Sequence, residues 1–316
     1  MMAPEDILRH RRLAREAVLY AWGCIAELRF SSLEIIDKPD GPQTPADLIA
    51  DHAIMQWLGA HAGKQRYAFL TEETEDSDAR FHKEMVWIID PIDGTREFIE
   101  GRDDFAMHVA LAERLPEGAR LLASAVYAPV LGRLYTASLG GGATLEVEAR
   151  GAEDPYWWEG LSSEHRTPDR AAFLPPKPLG VSGNAPLSDC VAVVSRNHRT
   201  KRLRALLERV DFRNVLERGS LGVKVCLVAE GAADLYVNTE RGRGKEWDLA
   251  APQLVLTEAG GRVTDLDGGE PRYNQRDVAL PAGIVASNGL CHEAFMSAAA
   301  GVPGLYSAGD ADAVPS

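Results

Sequence analysis

The chain has 316 residues, enough for one large or two ordinary domains with substantial cores. Apolar residues are 45% and charged residues 26% of it, and no window approaches the roughly 20 apolar residues that a membrane span needs. A formal net charge of −13 argues against a general nucleic-acid-binding surface, which needs a basic stripe to displace counterions. A small anionic substrate stays open, because local cations or metal ions attract it against the global field.

The start, Met1-Met2-Ala3-Pro4-Glu5-Asp6, is acidic and lacks the apolar core of a signal peptide, so a cytoplasmic location is expected. From Ile7 to Phe30, apolar residues at Leu13, Ala17, Ala21, Cys24, Ile25 and Leu28 recur at helical spacing and predict a long amphipathic helix. Lys38 to Gln43 reads as loop. Thr44-Pro45-Ala46-Asp47 then looks like an N-cap with proline at the first helical position, opening a helix through Ile54, Trp57 and Leu58. Asp47 lies in a first turn, where the helix dipole favours a carboxylate whatever else it does. Cys24, Cys190, Cys226 and Cys291 are far apart in apolar runs, which suggests buried thiols rather than a zinc pattern or a disulfide framework.

Tyr67 to Leu70 reads as a short strand running into Thr71-Glu72-Glu73-Thr74-Glu75-Asp76, a polar stretch that is usually a solvated loop. A second strand, Val86-Trp87-Ile88-Ile89, stops at Asp90-Pro91-Ile92-Asp93-Gly94-Thr95, because proline ends strand pairing. Asp-Gly is a common turn dipeptide, and an aspartate at a strand end often only caps the next helix. Two carboxylates three apart, beside the unpaired N–H groups of a helix start, also suit a metal-bound phosphate. A covalent aspartyl-phosphate site of the haloacid-dehalogenase type fails on spacing, since it needs aspartates two apart. If the two strands share a sheet, their acidic ends converge, and so many carboxylates at one point are intolerable without cations.

Three further runs, Phe105 to Ala112, Leu121 to Ala128 and Gly132 to Ala137, are joined by short turns and predict an antiparallel meander. With a strand around Leu145-Glu146-Val147 and the two helices, they make an α+β unit over residues 1–150. Residues 151–187, rich in Pro and Gly, read as an excursion and interdomain crossing. Trp157-Trp158 within it can stack on a base or anchor the loop. From Val191 to the helix at Trp247-Asp248, strands alternate with helices, predicting a mixed α/β unit over 188–300. The composition of 301–316 predicts a mobile tail.

Asp-Pro-Ile-Asp-Gly-Thr after an apolar strand, Glu72-Glu73 upstream and Trp247-Asp248-Leu249-Ala250-Ala251-Pro252 downstream together resemble the inositol monophosphatase superfamily of lithium-sensitive, magnesium-dependent phosphatases. The resemblance runs from the Thr44 segment to Gly261. It implies an α-β-α-β-α layered sandwich, with two or three Mg²⁺ ions, Mn²⁺ as a substitute and Li⁺ as an inhibitor. Glu72, Asp90 and the carbonyl of Ile92 would hold one ion, and Asp90, Asp93 and Asp248 a second. A weaker third would share Glu72 with waters. The implied chemistry is direct hydrolysis by a metal-activated water, positioned by Thr95 with Asp47 behind it and by Glu72, without a covalent intermediate. Asp93 and the backbone N–H groups of Gly94 and Thr95 would face the phosphate.

Within the superfamily, Val194-Ser195-Arg196-Asn197-His198, Gly219-Ser220-Leu221-Gly222-Val223-Lys224 and Gly244-Lys245-Glu246-Trp247-Asp248 look like the bisphosphate nucleotidases, which dephosphorylate 3′-phosphoadenosine 5′-phosphate. A doubly phosphorylated substrate needs cations away from the metals. Arg196, His198, Ser220, Lys224 and Lys245 are the candidate contacts, although the Arg and Lys residues also read as surface charges. The inositol-selective branch has a glutamate seven residues before the last aspartate, where this chain has Arg241. Alternatives are an inositol or sugar phosphatase with the same chemistry, and an inactive phosphate-binding protein, which the retained acids disfavour. The expected partner is a small phosphorylated molecule, with no nucleic-acid polymer or membrane; the oligomeric state is left open, a homodimer included.

Overall fold

The computed structural model describes residues 2–30, 33–38, 41–62, 66–149, 173–197 and 200–302. Trp157-Trp158, His198 and residues 303–316 of the tail lie outside the described residues. Helix α1 (Pro4–Ile25) is followed by a 3-10 turn over Ala26–Phe30, where a longer α-helix was expected. Such tightening of a last turn satisfies carbonyls that a helix end leaves open. The stretch read as loop before α2 (Pro45–His61) is a two-stranded antiparallel ribbon, β1 (Ile36–Lys38) with β2 (Gly41–Gln43). It carried no strand signal because every residue of β1 is exposed, which removes the inside–outside alternation.

The first large sheet has seven strands. These are β3 (Tyr67–Thr71), β4 (Met85–Asp93), β5 (Ala106–Arg114), β6 (Ala119–Ala128), β7 (Arg133–Ser138), β8 (Gly142–Val147) and β9 (Lys177–Pro178) in spatial order, with the short helix α3 (Thr95–Ile99) after β4. From β4 onward neighbours are antiparallel, the expected meander, whereas β3 runs parallel to β4. The second sheet contains β10 (Val191–Ser195), β11 (Asn214–Arg218), β12 (Leu235–Asn238), β13 (Arg262–Thr264) and β14 (Ile284–Ser287), in the order β11-β10-β12-β14-β13. Strand β10 is parallel to both neighbours, and β14 is antiparallel to β12 and β13. Strands β13 and β14 and helix α7 (His292–Ala299) went unread, because short strands separated by a Gly- and Asp-rich stretch give little periodicity.

Three apolar cores stack these elements into α-β-α-β-α layers. Alternation within β4 sends Trp87 and Ile89 toward α1 and α2, and Val86 and Ile88 to the opposite face. That opposite face packs on α5 (Leu221–Ala229) and α6 (Glu246–Glu258), which lie between the sheets and also cover Val191, Val193 and Tyr236 of the second sheet. The outer face of the second sheet, with Val194 and Val237, meets α4 (Lys201–Arg209) and α7. Cys24 is exposed on α1, against expectation; the other three cysteines are buried. Among the described residues no helix is long and apolar enough to cross a membrane.

The middle layer binds the two sheets together, so truncation there is costly. Leu256→Ala, at a site with 0% exposure, should lower unfolding free energy by about 2–5 kcal/mol in denaturant titrations. Leu290→Ala, at a site 58% exposed, should stay within about 0.5 kcal/mol of the parent.

Candidate active site

Parallel pairing places Thr71 opposite Ile89, and the Glu72 N–H donates to the Ile89 carbonyl at 3.3 Å. Glu72 therefore leaves the sheet beside Asp90. Strand β4 does not stop at Pro91 as expected but continues to Asp93 through a one-residue bulge, with Asp90 opposite His108 and Asp93 opposite Ala106. A bulge tolerates proline because its residue need not donate to the ladder. Gly94 then takes φ 97°, which a side chain would resist, and turns the chain into α3.

Asp47 serves the helix start and Thr95 at once. Its Oδ2 accepts the Thr44 N–H and hydroxyl, both at 2.7 Å, closing a capping box. Its Oδ1 accepts the Thr95 hydroxyl at 2.9 Å. Asp248, on the first turn of α6, accepts the Lys245 N–H at 2.8 Å. Asp93 reaches across to the helical layer between the sheets, where its Oδ2 accepts Ser220 Oγ at 2.5 Å and the Gly222 N–H at 2.6 Å at the start of α5.

The carboxyls are crowded. Burial, followed by repulsion from Glu72, raises the Asp90 pKa well above the ordinary range, and Asp90 Oδ1 is buried without a hydrogen-bond partner. Burial and then Asp93 push Asp248 up to about 7. Asp47 rises to about 6, mainly through burial. Glu72 is raised by dense surrounding protein and then by Asp248, but it has solvent-exposed surface that moderates the push. These hard oxygen donors and orphaned negative charges fit a divalent cation such as Mg²⁺. Among the described residues, no three His, Cys, Asp or Glu side chains by themselves form a group able to hold an ion. Mg²⁺ does not demand one, since it keeps waters and takes substrate oxygens.

Glu72, Asp90, Ile92, Asp93, Gly94, Thr95 and Asp248 line one cavity of about 410 Å³. Lys224 lines it as well, but its Nζ donates to the Gly219 carbonyl, and burial lowers its pKa to about 8. Arg196 and Lys245 do not line the cavity. The Arg196 guanidinium instead grips Asp104 with two hydrogen bonds, at 3.1 and 2.6 Å. Ser220 is buried behind Asp93, and His198 lies outside the described residues.

Three residues of the site escaped the sequence reading. His108, fully buried, has Nε2 3.3 Å from Asp93 Oδ2 and Nδ1 3.8 Å from Asp90 Oδ2. A Cβ at Gly222 would collide with its ring, so glycine there lets α5 approach Asp93. Only the register of β5 against β4 reveals it. Glu240 and Arg243, paired at 3.5 Å, also line the cavity, while Arg241, the counted position, turns to Asp267 at 2.7 Å. Glu240 lies one residue before the counted position, eight before Asp248.

Residues 12–302 match the inositol monophosphatase family. The chain belongs to that family. Over 257 residues it is 30% identical to the 3′(2′),5′-bisphosphate nucleotidase CysQ of Escherichia coli K12, covering 81% of this chain and 89% of that protein. It is 34% identical over 215 residues to the 3′-phosphoadenosine 5′-phosphate phosphatase of Mycobacterium tuberculosis, covering 68% and 66%. Similar solved structures include CysQ from Bacteroides thetaiotaomicron (TM-score 0.66, 29% identity, 89% of this chain and 97% of that one). Thermotoga maritima IMPase shares the fold (TM-score 0.68, 23% identity, 94% and 97%).

In this family member the raised carboxyls have a measurable consequence. Between the ordinary 3.8 and the folded value of about 7, Asp248 keeps a proton that the unfolded chain has released, so its contribution to stability falls as pH rises. Buried histidines with lowered pKa act oppositely, so the test is a difference between variants. Without metal, Asp248→Asn should gain Tm relative to the parent as pH rises from about 4.5 to 7.5. A gap that stays constant or shrinks would contradict the shift.

Proposed function

We propose that the chain is a cytoplasmic, Mg²⁺-dependent phosphomonoesterase that removes the 3′-phosphate of a nucleotide 3′,5′-bisphosphate of the 3′-phosphoadenosine 5′-phosphate type. The observation that carries this is the convergence of Glu72, Asp90, Asp93 and Asp248 on one cavity with the Thr95–Asp47 pair. Family membership supports the reaction class, and the names of the relatives support the substrate class.

Glu72, Asp90 and the Ile92 carbonyl would hold one ion, Asp90, Asp93 and Asp248 a second, and Glu72 part of a third. Bound there, the ions supply Lewis acidity toward phosphoryl oxygens and make water more acidic. The chain does the rest. Thr95 donates its own proton to Asp47, which leaves the hydroxyl oxygen free to accept one from an attacking water. Asp47, at about 6, suits a proton acceptor near neutrality. Backbone N–H groups of Gly94 and Thr95 bind the phosphate. Ser220 and Gly222 occupy Asp93 Oδ2 and leave Oδ1 for the cavity. Strands β3 and β4 and the residues that directly follow them supply Glu72, Asp90, Asp93 and Thr95, and α6 supplies Asp248, so the site closes between the first sheet and the middle helical layer.

A second reading, an inositol or sugar phosphatase, is favoured by Glu240 in the cavity lining, where a carboxylate can accept sugar hydroxyls. Phosphate release measured side by side on the three substrate types decides between them. At least about tenfold higher kcat/KM, or 1.4 kcal/mol, is expected for the nucleotide bisphosphate, and the same preference for inositol monophosphate would reverse the choice. Asp93→Asn should lose more than the roughly 10–100-fold typical of an outer-shell change while staying folded. Unchanged turnover would refute its assignment.

A further inference from the structure

The acidic loop after β3 is tied down at Glu73, Asp76 and Asp78. Glu73 is held by Lys38 Nζ at 2.7 Å and by Gln43, and exposed Asp78 meets exposed Arg276 at 3.3 Å. Asp76 is gripped by Arg80, whose side chain is 1% exposed: Nε lies 2.8 and 3.0 Å from the two carboxylate oxygens, and Nη2 2.8 Å from one of them. The same guanidinium donates at 2.7 Å to Asn274 Oδ1 and at 2.7 Å to the Gln275 carbonyl.

The contacts continue on the other side. Glu246, 1% exposed, accepts the backbone N–H groups of Asn274 at 2.5 Å and Gln275 at 2.7 Å. Glu246 is the first residue of α6, two before Asp248. Asn274 is the one non-glycine residue with positive φ among those described, so the connecting segment is held in a conformation that few residues adopt. A chain of hydrogen bonds, with Arg80 and Glu246 buried in it and Asp76 at its exposed end, therefore runs through Asn274 and Gln275 from the loop that starts at Glu72 to the helical turn that presents Asp248.

Charges so buried are a poor way to gain stability, because well-packed apolar groups of similar volume usually do as well or better. Their planar, directional bonds do fix geometry. We infer that Arg80 and Glu246 are positioning residues that set the separation of Glu72 and Asp248, and with it the affinity of the site for a divalent cation. This rests on the metal-site reading proposed above. Neither residue lines the cavity.

The test uses the full chain. Arg80→Lys keeps the charge but loses the fork, and Glu246→Gln keeps the shape but puts an amide N–H₂ against N–H donors. Mn²⁺ binding without substrate, followed by electron paramagnetic resonance, and the Mg²⁺ dependence of phosphate release are measured for both, with Arg276→Ala as the exposed control. About a tenfold rise in the ion's dissociation constant is expected in both variants, the low end for outer-shell changes. Most of the wild-type rate should return at saturating Mg²⁺, and Arg276→Ala should behave as wild type. Should Arg80→Lys fail to fold, Glu246→Gln decides. A lower Tm with unchanged ion affinity would overturn the inference alone, whereas a wild-type chain that binds no divalent ion would remove the metal-site reading and this inference together.

Discussion

Negative charge concentrated where the first sheet meets the middle helical layer is the constraint around which this molecule is arranged. Asp90 comes from inside β4, Glu72 from the end of the parallel neighbour β3, Asp93 from beyond the bulge, and Asp248 from the first turn of α6. Like charges this close and this buried cannot all ionise without compensation. The upward push on Asp90 and Asp248 expresses that repulsion. The fold answers part of it with fixed dipoles: Asp93 takes two donors from the start of α5, Asp47 takes two from its own helix start, and Asp248 takes one from the turn before α6. Asp90 is left with an unsatisfied buried oxygen.

Rigid supports hold the charges in this arrangement. The bulge that separates Asp90 from Asp93 lies against His108, and Gly222 lets α5 close over that imidazole. Trp87 and Ile89 anchor the strand on the α1–α2 side, while Val86 and Ile88 anchor it on the other, so β4 has little freedom to relax away from the crowding. Packing energy from three cores stabilises a local arrangement that electrostatics alone would disperse.

Much of this was legible in the sequence. The apolar run ending in Asp90, the acidic end of the preceding strand and the Thr44 cap are local signals; the first two led to residues that share one cavity, and the third to Asp47, which holds the cavity-lining Thr95. The meander was legible from alternation and short turns, and the layered fold from the resemblance. What escaped depends on register and long-range partners. Nothing local marks His108 as the cross-strand neighbour of Asp90, or Arg196 as the partner of Asp104, which draws it out of the cavity. Nor does anything local show that Arg241 turns out to Asp267 while the neighbouring Glu240 lines the cavity. Exposure concealed the β1–β2 ribbon, since a strand with both faces in water has no period to read.

If the carboxyl cluster is a cation site held partly protonated until ions arrive, filling it must expel protons. Titrating the metal-free protein with Mg²⁺ by calorimetry at about pH 6.5, in buffers of different ionisation enthalpy, counts them directly. Release on the order of one proton per site is expected, decreasing as pH rises past the value of about 7 for Asp248. Mg²⁺ binding with no proton release at pH 6.5, or no Mg²⁺ binding at all, would contradict it.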